Sequence, residues 1–160
     1  MTISVGDKVP STDLNIMTDD GPGGISTDDI LAGKKVAVFG LPGAFTRTCS
    51  ARHLPGYVDN ANALKAKGID SIVCISVNDA FVMGAWGKAQ DVGDSVMMVA
   101  DGSAKFVTAA GLDSDMSAKG FGVRSQRFSM VVDDGTVTSL QIDAPGTFEN
   151  TSAEVMLGTL

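Results

Sequence analysis

Three short apolar runs, separated by two stretches with helical spacing, constrain this chain more than any other feature of it. Lys35–Gly40 (KVAVFG), Ile69–Val77 (IDSIVCISV) and Val96–Ala100 (VMMVA) are dense in valine, isoleucine and methionine, as expected of strands buried on both faces. Between the first two, Leu54, Tyr57, Val58, Ala61 and Leu64 recur every three or four residues, and Lys65, Lys67 and Gly68 close the stretch as C-terminal signals. Between the second and third, Asp79–Gln90 reads as a helix with Asn78 or Asp79 as its cap. A helix that carries the chain back to a new buried strand produces parallel pairing, so the middle of the chain is β-α-β-α-β.

The flanks complete the plan. Phe128–Asp133 and Thr136–Ile142, joined through Asp134-Gly135, read as an antiparallel hairpin, and Thr151 or Ser152 caps a last helix containing Val155, Met156 and Leu157. The residues around Asp19–Gly24 (DDGPGG) are rich in turn formers and suggest an N-terminal extension containing a hairpin. With 160 residues, 44% of them apolar, one substantial core is expected, hence a single domain over residues 1–160. The order of elements predicts an α/β, thioredoxin-like fold, a mixed central sheet flanked by helices.

Charge and composition exclude several roles. Twelve basic and 19 acidic side chains give a formal net charge of −7, the wrong sign for nucleic acid or an anionic membrane surface. The N-terminus lacks a basic flank followed by an apolar core, and no run approaches the roughly 20 apolar residues of a membrane span, so a cytoplasmic protein is expected. Two cysteines and one histidine predict neither a disulfide scaffold nor a metal site, and no cofactor is expected. What remains is redox or nucleophilic cysteine chemistry.

Cys49 lies in LPGAFTRTCSARH, where the first buried strand hands over to a helix. The free N–H groups and dipole of a helix's first turn favour an anion, and a thiolate is one; in such a setting, with an arginine nearby, a cysteine pKa falls from about 8.5 toward neutrality or below. Thr46 is placed to donate across the same turn. Its neighbours Thr46, Arg47, Thr48, Ser50 and Arg52 are polar or charged, which argues against a core position for Cys49. Cys74 is the contrast: inside SIVCISV it reads as an inert buried thiol.

The segment PGAFTRTCSARHLPGYV resembles the active-site segment of the peroxiredoxins, with Pro42, Thr46 and Cys49 at the motif positions. ALKAKGID, SVNDAFVMGAWGKA and RSQRFSMVVDDGTV extend the likeness along nearly the whole chain to the peroxiredoxin-five-like branch, which includes the plant type II proteins. The resemblance implies a thiol peroxidase for hydrogen peroxide and alkyl hydroperoxides, with Cys49 as nucleophile. It implies that Thr46 hydrogen-bonds sulfur and peroxide, that Pro42 shields the sulfur, and that the N–H groups of Thr48 and Cys49 are further donors. Of two arginines in GVRSQRFSMVV, Arg127 is the expected partner of sulfur and peroxide. Arg124 is the weaker candidate, for a supporting or dimer role. His53 follows the nucleophile closely; a hydrogen-bonding role behind the reacting atoms is expected in preference to that of general base. A homodimer is implied, with Phe45, Phe81 and Trp86 as apolar contributors near the active-site loops.

The chain departs from its relatives in two places. Many carry a resolving cysteine near the C-terminus, whereas FENTSAEVMLGTL contains none; with Cys74 in an interior strand, the expected route is a one-cysteine cycle in which glutathione, glutaredoxin or thioredoxin returns the sulfenic acid to thiol. Arg47 stands where the family commonly has proline. Other roles are distinguishable. A non-catalytic module would lose one of Pro42, Thr46, Cys49 or Arg127. A thiol–disulfide oxidoreductase would normally need a second cysteine in the turn, where Thr46 stands. A peroxide sensor shares the site and is separated by turnover with a thiol reductant.

Overall fold

The computed structural model describes residues 1–160. In chain order the strands are β1 (Asp13–Thr18), β2 (Gly21–Ser26), β3 (Lys35–Leu41), β4 (Ser71–Ser76), β5 (Met97–Ala100), β6 (Asp113–Asp115), β7 (Val123–Ser125), β8 (Phe128–Asp133) and β9 (Thr136–Ile142). Seven form one sheet in the order β2-β1-β5-β4-β3-β8-β9, and β6 pairs with β7 separately. The three apolar runs pair in parallel at its centre, β4 between β3 and β5. The β8–β9 hairpin adds antiparallel to β3. This is an α/β thioredoxin-like fold with a mixed sheet.

The N-terminal segment is part of this sheet rather than an extension to it. β1 and β2 form the expected hairpin, and β1 continues onto the edge of β5 through Asn15 and Ala100. That pairing is non-local, so turn chemistry around Asp19–Gly24 could not reveal it.

Helices cover both faces: α1 (Thr27–Leu31), α2 (Leu54–Asp59), α3 (Ala61–Ala66), α4 (Ala80–Ala89), α5 (Lys105–Ala109) and α6 (Ala153–Thr159). Side-chain alternation along β3 divides the interior in two. Ala37, Phe39 and Leu41 face a core shared with Leu54, Tyr57, Leu64, Met83, Trp86 and Met156, while Val36 and Val38 face a second core with Ile30, Leu31, Phe106 and Val107. α1 and α5 carry no apolar pattern in the sequence. Both are five residues long, too short for apolar periodicity, and are held by caps: Ser26 and Asp29 form a capping box on α1, and the buried Asp101 carboxylate accepts from the N–H groups of Phe106 and Val107 at α5.

The helix expected from Leu54 starts earlier and is interrupted. Helical backbone begins at Arg47, and Cys49–His53 forms a π-turn in which the Leu54 N–H donates to the Cys49 carbonyl, five residues back. Pro55 has no N–H for the Ala51 carbonyl, so widening the helix just before it accommodates the missing donor. At Asn60 the backbone leaves helical values (φ −99°, ψ 9°), separating α2 from α3.

Candidate active site

β3 delivers the chain into the turn Pro42–Thr46, which other segments hold in place. Arg124 Nη1 donates to the Pro42 carbonyl (3.1 Å) and its Nε to the Phe121 carbonyl (3.0 Å). Gly43 leaves room for this contact, because a Cβ there would displace the Arg124 guanidinium. The Asn78 side-chain oxygen accepts from the Ala44 N–H (3.0 Å) and the Ser76 hydroxyl (2.6 Å). Phe45 adopts a positive φ of 63° and projects into solvent. Arg124 thus braces the turn without touching the sulfur.

Thr46 differs from expectation. Its hydroxyl donates to the Gly43 carbonyl (2.7 Å), so its proton is directed at the turn and not at Cys49. Its oxygen lone pairs remain available to accept a proton-bearing ligand. The Ser50 N–H makes the first bond of the helix, to the Thr46 carbonyl (3.0 Å), so the N–H groups of Arg47, Thr48 and Cys49 precede the ladder, as a first-turn anion site requires.

Cys49 is only 1% exposed and packs in the core with Phe39, Leu54 and Tyr57. This corrects the inference from its polar neighbours. On a helix the flanking side chains point to other faces, and Cys49 takes the inward one. Burial does not isolate it: Arg127 Nη2 lies 3.4 Å from Sγ. Cys74, on β4 opposite Phe39, faces the same core and is fully buried; burial first, and the neighbouring Cys49 second, push its thiol well up. Both cysteines are unpaired.

The second arm of the guanidinium is held by His53, whose Nδ1 lies 2.8 Å from Arg127 Nη1. Arginine only donates, so Nδ1 must accept; the other ring nitrogen, Nε2, then carries the proton and donates to the Thr151 carbonyl (3.1 Å). The Tyr57 hydroxyl donates to the same carbonyl (2.9 Å). Burial, reinforced by the Arg127 charge, lowers the His53 pKa from 6.5 to about 3, so the ring is neutral at any physiological pH. With both nitrogens occupied it cannot serve as a general base. Arg47 is exposed.

Sequence reasoning missed the support behind this pair. The carboxylate of Asp143 accepts from the N–H groups of Glu149 (3.2 Å) and Asn150 (2.8 Å) and from the Thr151 hydroxyl (2.7 Å). Burial raises its pKa, but these hydrogen bonds outweigh it and hold the group below its ordinary value. The loop so closed presents the Thr151 carbonyl to His53 and lays the Phe148 ring 5.6 Å from the Arg127 guanidinium and 5.0 Å from the His53 ring. Of the two cap candidates for the last helix, Thr151 and Ser152, Ser152 is the cap. Trp86, expected near an interface, is fully buried and donates to the Ser50 hydroxyl (3.0 Å), whereas Phe45 and Phe81 are exposed.

Comparison with known proteins bears directly on this arrangement. A profile of the Redoxin family matches residues 4–157. The chain is 47% identical to Peroxiredoxin-2E, chloroplastic, of Arabidopsis thaliana, over 99% of its own length and 70% of that protein, and 45% identical to Peroxiredoxin-2B of the same plant, over 99% and 98%. The chain belongs to the type II peroxiredoxins. As a peroxiredoxin it is a thiol peroxidase. The crystal structure of reduced Prx3 from Vibrio vulnificus in complex with H2O2 superposes with a TM-score of 0.94 at 47% identity, over 99% of each chain. No helix is long and apolar enough to cross a membrane. Peroxiredoxins at this level of identity carry both chloroplastic and mitochondrial names, so membership of the family does not assign the compartment expected from sequence.

Proposed function

We propose that Cys49 is the peroxide-reacting cysteine, that it reduces hydrogen peroxide and alkyl hydroperoxides, and that an external thiol returns it. The observation that carries this is the 3.4 Å contact between Arg127 Nη2 and Cys49 Sγ at the start of a helix. The thiolate attacks one peroxide oxygen, the O–O bond breaks, and its electron pair leaves on the other oxygen, which takes a proton as water or alcohol. Cys49 is left as sulfenic acid. The guanidinium serves both ends of this step: it stabilises the thiolate before attack and the charge growing on the oxygens during it. Thr46, its own proton committed to Gly43, accepts the peroxide O–H and so orients the O–O bond. Pro42 limits access of water.

An external reductant follows from the state of Cys74, which has no exposed surface and a thiol held protonated by burial. A thiol RSH condenses with the sulfenic acid to give Cys49–S–S–R and water; a second RSH attacks R's sulfur, freeing Cys49 and releasing RSSR. Glutathione with glutaredoxin, or thioredoxin, fits this one-cysteine cycle. The exposed Phe45 and Phe81 fit the surface of a homodimer. The test is steady-state peroxide consumption with glutathione plus glutaredoxin against thioredoxin, in wild type and Cys74→Ser. Unchanged turnover in Cys74→Ser supports the cycle; a turnover intermediate with a Cys49–Cys74 disulfide refutes it.

A further inference from the structure

Resting on the assignment of Cys49, we propose that the cavity beside it is a carboxylate-reading subsite for an organic reactant much larger than hydrogen peroxide. Its lining includes Arg127, whose Nη2 contacts the sulfur, the half-buried Pro42, Thr48 and Phe148, and the exposed Arg52 and Lys119. Its volume is about 350 Å³. A water molecule takes up about 30 Å³ of liquid and hydrogen peroxide is only one oxygen atom larger, so most of the space is superfluous to the smallest substrate.

The charges lining it run against the character of the chain. On a protein of net charge −7, this cavity collects three cations, Arg52, Lys119 and Arg127, and two carboxylates, Asp113 and Asp143. The Asp143 carboxylate is turned into its own loop, where Glu149, Asn150 and Thr151 donate to it. Arg127 is committed to Cys49 and His53. Arg52 and Lys119 are thus left to recognise an incoming anion, opposed by Asp113 alone. The Arg52 guanidinium lies 4.8 Å from the centre of the Phe148 ring, whose apolar surface, with Met116 and Pro145, suits a hydrocarbon segment. The ligand so described has its reacting atom beside Arg127 and the sulfur, and a carboxylate at the exposed Arg52 and Lys119.

Two kinds of reactant share that chemistry: a carboxylated hydroperoxide, whose O–O bond is cleaved by the thiolate, and a carboxylated thiol, which condenses with the sulfenic acid and releases water. Two arms separate them. In the oxidative arm, stopped-flow compares cumene hydroperoxide with its ring-carboxylated analogue. In the reductive arm, sulfenic acid preformed with one equivalent of hydrogen peroxide is treated with glutathione or with glutathione diethyl ester. The readout is the ratio of carboxylate to neutral rate constant in wild type, Arg52→Gln and Lys119→Gln, with Lys65→Gln on α3 as the remote control. In at least one arm the ratio falls about two- to fivefold for each of the two pocket substitutions, the scale of one solvent-screened charge, and falls also in wild type as salt is raised. The arm that responds names the source. Ratios unchanged by both substitutions in both arms overturn the proposal. Failure of hydrogen peroxide to form the sulfenic acid on Cys49 in wild type would instead overturn the assignment on which it rests.

Discussion

Because His53 is neutral and buried in the folded chain but ordinary in the unfolded one, it makes stability depend on pH in a calculable way. Its pKa falls from 6.5 to about 3 on folding. Between those values the unfolded state binds a proton that the folded state refuses, so stability is full above pH 6.5 and is lost as pH falls. At about 1.4 kcal/mol per pH unit, the loss by pH 5 is about 2 kcal/mol, and it reaches about 4–5 kcal/mol near pH 3. His53→Asn removes the titrating group and places an amide oxygen near the position of Nδ1. Urea unfolding at pH 7.5 and pH 5 should therefore show a drop in stability about 2 kcal/mol smaller in the variant than in wild type, the other acidic groups being common to both. His53→Gln should show the same reduced drop, but it places its amide near Nε2 and keeps the Thr151 contact instead of the Arg127 one. In peroxide oxidation the Asn variant should then outperform the Gln variant, by up to about 10²-fold if the aim of Arg127 is lost entirely. Equal pH dependence in wild type and both variants would refute the buried neutral ring, and a Gln variant as fast as Asn would refute its role in holding Arg127.

Further expectations follow from the loops around the sulfur. Asp143→Asn replaces an acceptor-only carboxylate that takes three donors, and should lower thermal stability by about 1–3 kcal/mol while slowing Cys49 oxidation, read by calorimetry and stopped-flow. Gly43→Ala should displace Arg124 from the Pro42 carbonyl and slow oxidation, whereas Gly24→Ala, with open space around it, should leave oxidation unchanged. Arg47→Pro should raise thermal stability by up to about 1 kcal/mol if the first helical turn accepts the ring, with thiolate titration and glutathione dependence unchanged, since the Arg47 charge is exposed and screened by water and salt.

Strand runs and helix spacing were legible because each is a local pattern repeated over several residues: β3, β4, β5 and the β8–β9 hairpin lie where the valine-rich stretches and Asp134-Gly135 put them. What was not legible depended on contacts far apart in the chain. The attachment of β1 to β5 rests on one backbone pairing, and α5 exists through the carboxylate of Asp101. In the site, Cys49 and its turn stood out, since a cysteine among polar residues after Pro-Gly is unusual. Arg127 needed the family resemblance. Asp143 and Thr151 gave no signal, because a carboxylate in a turn and a threonine before a helix are ordinary; only folding shows that their loop backs His53 and Arg127. The burial of Cys49 went unread because helical geometry turns it away from its sequence neighbours.

The most direct measurement is the site and rate of oxidation by one equivalent of hydrogen peroxide in wild type, Cys49→Ser, Cys74→Ser and Arg127→Ala, followed by stopped-flow and located by peptide mass spectrometry. One oxygen should be added at Cys49 in wild type and Cys74→Ser at the same rate. The same addition should be slower by about 10²-fold or more in Arg127→Ala and absent from Cys49→Ser. Rapid oxidation of Cys74 in Cys49→Ser, or an Arg127→Ala variant as fast as wild type, would contradict the account.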